Sequence, residues 1–564
     1  MKAGKIDNSD GRLGKKLRKD LRNVFNNAGF TLIPQEDIKI EVDGQNSDLD
    51  NVFIFENVIV VAEDTTDKDT GKGHLRKKVE FFNHCLKNKG VFVDCLKQNV
   101  PAYLNSPANK FSANDIKLLF LYVSSRFIND TYKERYSNIK FVDLKSLSYF
   151  LSTTKTIKKS ARFEMFKFFG LEFDEIGSPK SSSLKKAYGG LVLPETPSGF
   201  PADYKLVSFL IDPETLLKQC YVLRKDGWQD KDCVYQRILV SGKISNMRKY
   251  LTTEGRVFVN NVIVTLPDDV KINQFETSTP ISEPISAGAV KHPVTIEIPE
   301  KSGNIGIIDG QHRVFSYHEG DDEYEKNISK LRNEQHLLVT GIVFPKSISE
   351  NERVKFEAKL FLEINDKQTR TKAALRQVIS AIVDPFNETS IAKMVVNELA
   401  KRDPMKDVLE QHYFDKGKLK TTSIVSYGVR HVVKLSGDDS FFTTWDNKDK
   451  NDLLKKKDGK LLEEYVDYCA SELNNFLVGF KKNIPNGMWT INKRKSMVLT
   501  ATTVNGLIHC MRKVIENGKL DSLGNYEKAF KKLGDKISFE PNSADYVSSH
   551  WKNLGDRIYD ICFK

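Results

Sequence analysis

The sequence predicts a multidomain α/β protein whose last third is all-α. Three observations lead there. At 564 residues the chain exceeds what one core holds, so more than one domain is expected. Up to about residue 390, short apolar runs of strand type alternate with helical periodicity, the mark of α/β architecture. Beyond it, helix follows helix over 391–402, 423–434, 461–480 and 497–517. The expected organisation is an N-terminal α/β domain with a helical segment over 1–177, a linker over 178–190, a central domain over 191–390 and a helical domain over 391–564. No repeat of fixed period stands out.

Composition narrows the function classes. A hydrophobic fraction of 40% suits a folded chain. No apolar run reaches the length of a membrane span, so no membrane partner is expected. The first residues lack an apolar signal core, which predicts a cytoplasmic protein. Seven scattered cysteines without a Cys-x-x-Cys pair predict reduced thiols and no zinc site. The net charge of +12 permits a polyanionic partner such as DNA.

The N-terminal elements read as helix, strand, strand, helix. Leu13, Leu17, Leu21, Val24 and Phe25 recur at helical spacing, and Gly29 stands where that helix would stop. Lys15, Lys16, Arg18, Lys19 and Arg22 share the stretch. A solvated face and phosphate contact both fit them. Residues 39–42 read as a short strand. Residues 51–62 read as two strands turning at Glu56-Asn57, and 74–86 as a helix with Leu75, Val79, Phe82 and Leu86 on one side. Residues 101–176 are basic, aromatic and read as mostly helical.

This order, with acids at the strand ends, resembles the restriction-endonuclease-like fold. The resemblance implies an Asp on one strand and Glu-x-Lys on the next, holding Mg²⁺ and activating water. Here the Asp is Asp50, or Asp48 before it, and the second element is Glu63-Asp64-Thr65. Thr65 stands at the lysine position and supplies no cation. Lys68 and Lys72 are near but out of register. A vestigial site that binds DNA or nucleotide, an active nuclease and a plain hairpin with surface acids all remain open.

The central domain carries strand-type runs at 207–211, 261–266, 294–298, 306–308 and 337–344. Asp212-Pro213 marks a helix start after the first of them. The chain Ile305-Gly306-Ile307-Ile308-Asp309-Gly310-Gln311-His312-Arg313 ends a buried strand in polar groups. Gly310 allows a positive φ. Arg313 offers a planar fork to phosphate, and His312 can donate to phosphate or relay a proton. Asp309 can hold Mg²⁺ or simply cap the next helix.

Asp309-Gly310-Gln311-His312-Arg313 resembles the signature of the DGQHR-domain family. That family includes DndB-like proteins of DNA-modification clusters and is distantly similar to the ParB/sulfiredoxin fold. Tyr235-Gln236-Arg237 and the segment from Phe361 to Gln368 fit the same pattern in the same order. The resemblance implies an α+β ParB-like domain and a nucleotide or DNA site. Asp309, His312 and Arg313 would be its central residues. Gly310, Gln311, Arg237, Asn365, Lys367 and Gln368 would bind nucleotide, and Asp366 or Glu363 would join Asp309 on a metal. Asn365 or Asp366 as an N-cap is the bland alternative.

The expected function is therefore nucleotide and DNA binding in a bacterial DNA-modification or phage-defence system. ATP or another nucleoside triphosphate, with Mg²⁺, would be the ligand, and hydrolysis at the Asp309–Arg313 turn is an option. Protein partners of such a system, and an oligomer, are compatible. A Mg²⁺-dependent nuclease in the N-terminal domain is an alternative, weakened by Thr65. A non-catalytic regulator or scaffold is another. His431, His74, His84 and His509 read as satisfied core histidines.

Overall fold

The computed structural model describes the residues outside 1–8, 35–37, 67–72, 127, 129, 179–184, 194, 202, 225–227, 229–235, 237, 282–292, 369–372, 413, 414, 416, 486, 492–497, 535 and 538–549. The chain is mixed α/β. The described residues form two compact units, one running to Arg353 and one from Val354 to Lys564. This division falls inside a helix, whereas the sequence placed its last boundary at residue 390.

The first unit opens with α1 (Ser9–Asn27), β1 (Thr31–Leu32), β2 (Ile38–Val42), β3 (Gln45–Leu49), β4 (Asn51–Phe55) and β5 (Val58–Thr65). Helices α2 (His74–Lys87), α3 (Lys89–Asn99) and α4 (Pro101–Leu104) follow. Then come β6 (Lys117–Ser124), α5 (Asp130–Arg135), β7 (Lys140–Val142), α6 (Leu144–Ile157) and α7 (Arg162–Phe169). Five strands form a sheet in the order β1-β4-β5-β6-β7. β4 and β5 are the expected antiparallel hairpin, while β5, β6 and β7 run parallel. β2 and β3 form a separate hairpin.

Strand β6 corrects the expectation of a mostly helical 101–176. Its sequence, KLLFLYVS, is a short continuous apolar run. Periodicity cannot separate such a run from a buried helix, and here it is a strand covered on both faces. β5 alternates in the same setting. Val58, Val60 and Ala62 join the core of Leu17, Leu21, Val24 and Phe25 of α1. Ile59 and Val61 join the core of Leu75, Val79 and Phe82 of α2. Continued one turn of the pleat, this alternation sends Glu63 toward α2 and Asp64 toward α1.

The rest of the first unit holds β8 (Lys185–Leu193), α8 (Glu195–Ser198), β9 (Lys205–Ile211), α9 (Pro213–Gln219), β10 (Cys220–Tyr221), α10 (Ser241–Glu254), β11 (Val262–Leu266) and β12 (Lys271–Gln274). β13 (Val294–Pro299), β14 (Ile305–Asp309), α11 (Gln311–Phe315), α12 (Glu325–Glu334) and β15 (Leu337–Val343) complete it, and α13 (Glu350–Gln368) leaves it. The eight strands run β10-β14-β11-β15-β9-β8-β13-β12. Asp212 caps α9 as the sequence indicated, its Oδ1 accepting from the Thr215 N–H at 2.8 Å.

The expected linker is partly strand. Residues from Lys185 onward pair with β13 on one side, and from Gly190 onward with β9 on the other. Serine, lysine and glycine there suggested a connection. Gly190 is instead demanded by packing, since a Cβ would stand 2.4 Å from the Ser208 carbonyl oxygen and 2.8 Å from Ile296 Cδ1.

The second unit contains helices and no sheet among its described residues. Glu388–Leu399, Gly459–Lys481, Ala501–Glu516 and Trp551–Cys562 enclose one core that includes Val395, Leu473, Leu507 and Ile558. Among the described residues no helix is long and apolar enough to cross a membrane.

Candidate functional site

Among the described residues, a rich cluster of ionisable groups lies where β4 begins and β5 ends, between α1 and α2. Asp50 is 6% exposed, Glu63 4% and Lys78 6%, so three charged side chains are withdrawn from water together. Lys78 Nζ lies 2.9 Å from Glu63 Oε2 and 2.8 Å from Asp48 Oδ1. It also donates to the Asp48 carbonyl. His74 Nε2 is 3.3 Å from Glu63 Oε1. On the other face of β5, Arg18 Nε meets Asp64 Oδ2 at 2.9 Å and reaches Asp50 Oδ1 at 3.2 Å through its terminal nitrogen. Asn51 donates to Asp64 and accepts from Arg22 Nε. The Asp64 N–H donates to Asp50 Oδ2 at 3.0 Å, which ties the two faces together.

The charges do not balance inside this cluster. Burial, then repulsion from Glu63 and Asp64, pushes the Asp50 carboxyl up to about 7. Burial also raises Asp64, against the pull of Arg18. Burial opposes the charge of Lys78, but Glu63 and Asp48 outweigh it and hold the ammonium charged. The hydrogen bond to Glu63 raises His74. Asp50 is the acid left without sufficient positive charge.

Thr65 ends β5 half-buried, at the position expected for a lysine. Lys68 and Lys72 lie outside the described residues. A buried cation does meet Glu63, but from α2, in Lys78. Sequence reasoning missed Lys78, yet a signal existed. Lys78 shares the stripe of Leu75, Val79 and Phe82, where an unpaired lysine would be costly. His74, expected as a core histidine, is instead 42% exposed and touches Glu63. His84 and His509 do read as satisfied, bonded to the Val42 carbonyl and to Asp556.

The Asp309–Arg313 turn is built differently. Gly310 has φ +96° and precedes α11, so its freedom from a Cβ is used as expected. Asp309 caps nothing. Its Oδ2 accepts from an Arg313 terminal nitrogen at 2.8 Å, and the same nitrogen donates to the Asn261 carbonyl at 3.0 Å. Arg313 Nε is buried with no hydrogen-bond partner among the described residues. His312 Nε2 accepts from the Val240 N–H at 3.3 Å, and burial lowers the imidazole to about 4. It is thus a neutral acceptor near pH 7.

Gln311 is buried and its Oε1 accepts from Arg224 Nε at 3.3 Å. Arg224, 1% exposed, bonds Tyr149 and Glu164 at 2.8 Å each, which joins the turn to α6 and α7. Gln236 donates to the Ile307 carbonyl, so two of the three segments that carry the family resemblance do meet. Arg237 lies outside the described residues, as do the side chains of Asp366, Lys367 and Gln368. Asn365 lies within α13 and donates to the Phe361 carbonyl at 2.9 Å, so it caps no following helix. Glu363 is exposed on the same helix.

Among the described residues no three His, Cys, Asp or Glu side chains converge as a ready cation cage. No protein family, curated protein or solved structure matches the chain.

Proposed function

We propose that the N-terminal part of this chain hydrolyses phosphodiester bonds in nucleic acid, with a divalent cation on Asp50 and Glu63. One observation carries the reading: Lys78 puts a buried ammonium 2.9 Å from Glu63, in place of the lysine absent at Thr65. The five-stranded mixed sheet, with helical layers on both faces and acids at the end of β5, is similar to the restriction-endonuclease-like architecture. The resemblance of the Asp309–Arg313 turn to proteins of DNA-modification clusters, and the net charge of +12, favour nucleic acid as substrate.

The donor set fits Mg²⁺. The ion takes oxygen ligands, accepts as few as one or two carboxylates and keeps several waters, so no three-residue cage is required. The negative charge of Glu63 and Asp64 beside the buried Asp50 is what a divalent cation would neutralise. When bound, the ion would polarise a phosphate oxygen and acidify water. The chain itself does the rest. Glu63 fixes Lys78 Nζ, and Asp48 holds it from a second side. That preset positive charge can meet negative charge developing on the phosphoryl oxygens. Arg18 and Asn51 orient Asp64, whose N–H in turn holds Asp50.

The test is cleavage of duplex and single-stranded DNA and of RNA by the full chain, with Mg²⁺ or Mn²⁺. Glu63→Gln and Lys78→Met should each lose about 100-fold in rate or more. Full activity in either variant, or no cleavage of any of the three substrates, overturns the reading.

A second reading keeps the Asp309–Arg313 turn as a nucleotide-phosphate site, favoured by the buried Arg313 Nε without a hydrogen-bond partner among the described residues. Stabilisation by ATP, GTP or CTP that vanishes in Arg313→Ala would support it. Equal thermal shifts in both proteins would dismiss it.

A further inference from the structure

The outer face of α1 carries Arg12, Lys15, Lys16 and Lys19, spaced at i, i+3, i+4 and i+7. All four are exposed. A basic helix face is ordinarily solvated and laced with ion pairs, and this chain is rich in such pairs elsewhere. Here none of the four has a carboxylate partner among the described residues. The face is also fixed in direction. Leu17, Leu21, Val24 and Phe25 bury the opposite side of α1 against β4 and β5.

The row does not end in solvent. The next basic residues on the helix, Arg18 and Arg22, turn into the acidic cluster, where they bond Asp50, Asp64 and Asn51. Exposed cations therefore lead, along one helix, to the carboxylates assigned to catalysis. At 1.5 Å per residue, Arg12 to Lys19 spans about 10 Å. With one phosphate per 3.4 Å of a DNA strand, that covers about three phosphates.

We propose that α1 is the docking surface for a nucleic-acid backbone, holding consecutive phosphates of one strand along Arg12, Lys15, Lys16 and Lys19 so that the strand passes Asp50 and Glu63. Resting on the cleavage reading, it adds the path of the substrate. Charge complementarity selects the occupant: a row of exposed cations without carboxylate partners among the described residues fits a polyanionic strand, and phosphate contacts of this kind position without reading sequence.

The experiment uses the full chain carrying Glu63→Gln and a fluorescent DNA duplex of about 30 base pairs, titrated at several salt concentrations. Replacing Arg12, Lys15, Lys16 and Lys19 together by Gln should weaken binding about tenfold or more. It should also flatten the slope of log affinity against log salt by about three, near 0.9 for each lost phosphate contact. Gln keeps helix propensity, and the altered side chains are exposed, so α1 should fold. A control replaces exposed Lys406, Lys448, Lys455 and Lys460 of the second unit with Gln, for the same change in charge. Its binding should match the parent.

Unchanged affinity and slope in the α1 variant overturn the proposal, as does an equal loss in both variants. The two readings fail separately. Binding that depends on the α1 row without any cleavage by the unsubstituted chain removes the nuclease and keeps the docking surface. Cleavage with binding indifferent to the row does the opposite.

Discussion

Replacing Lys78 by Met tests the most unusual feature of the fold. Lys78 Nζ lies 2.9 Å from Glu63 Oε2, with both side chains under a tenth exposed. At that separation and an effective dielectric near 20, the gross attraction is about 6 kcal/mol, much of it offset by desolvation of the two charges. Removing one partner of a buried pair costs about 3–5 kcal/mol, because the other charge stays buried alone. Two effects soften this. His74 still touches Glu63, and Met restores most of the apolar stem without losing helix propensity. Asp48 is half-exposed, so its share of the pair is small. The expected net loss is about 2–3 kcal/mol. Native-state hydrogen exchange of β5 and β6 amides reads it, since these strands form the centre of the sheet. Adding Glu63→Gln to Lys78→Met should return more than half of the loss, because both charges then go. Unchanged protection in Lys78→Met, or further loss in the double variant, would refute the buried pair as the organising contact.

Three more outcomes follow from the same geometry. Asp50 is held near 7 when folded against about 3.9 when unfolded, so in the metal-free protein its own contribution is fully present below about pH 4 and is lost as pH rises through 7. The ceiling is about 4 kcal/mol, and screening by water brings it to about 2. Asp50→Asn should remove this loss, and parallel pH–stability curves for the two proteins would sink the assignment. Arg224→Ala should destabilise the first unit by about 3–5 kcal/mol, since Glu164 and Gln311 lose a shared buried partner; a urea midpoint shift worth under 1 kcal/mol would contradict it. Gly190→Ala should cost about 2–3 kcal/mol by overpacking against Ser208 and Ile296, and a neutral melting temperature would place β8 outside the sheet.

What could be read early were features encoded within a few residues. The β4–β5 hairpin, the Asp212-Pro213 helix start, the strand leading to Asp309 and the positive φ of Gly310 all rest on local pattern or on what one residue type permits. The acids Asp50 and Glu63 were visible for the same reason, as polar residues at the ends of apolar strands. β6 escaped because a strand buried on both faces has no alternation to betray it, and β8 because Gly190 signals a turn and a tight sheet equally.

The sequence by itself determined the alternation of strands and helices, the helical character of the last third and the identity of the candidate acids. Only the tertiary structure decided which cation serves them. Lys78 is 15 residues from Glu63 and 30 from Asp48, and Arg18 is 46 from Asp64. Such pairs are chosen by which helix covers which face of β5, and that follows from burying Leu75 and Val79 on one side and Leu17 and Leu21 on the other. Apolar packing sets the helices down first in energetic rank, and the charges near the strand end take the partners that packing leaves within reach.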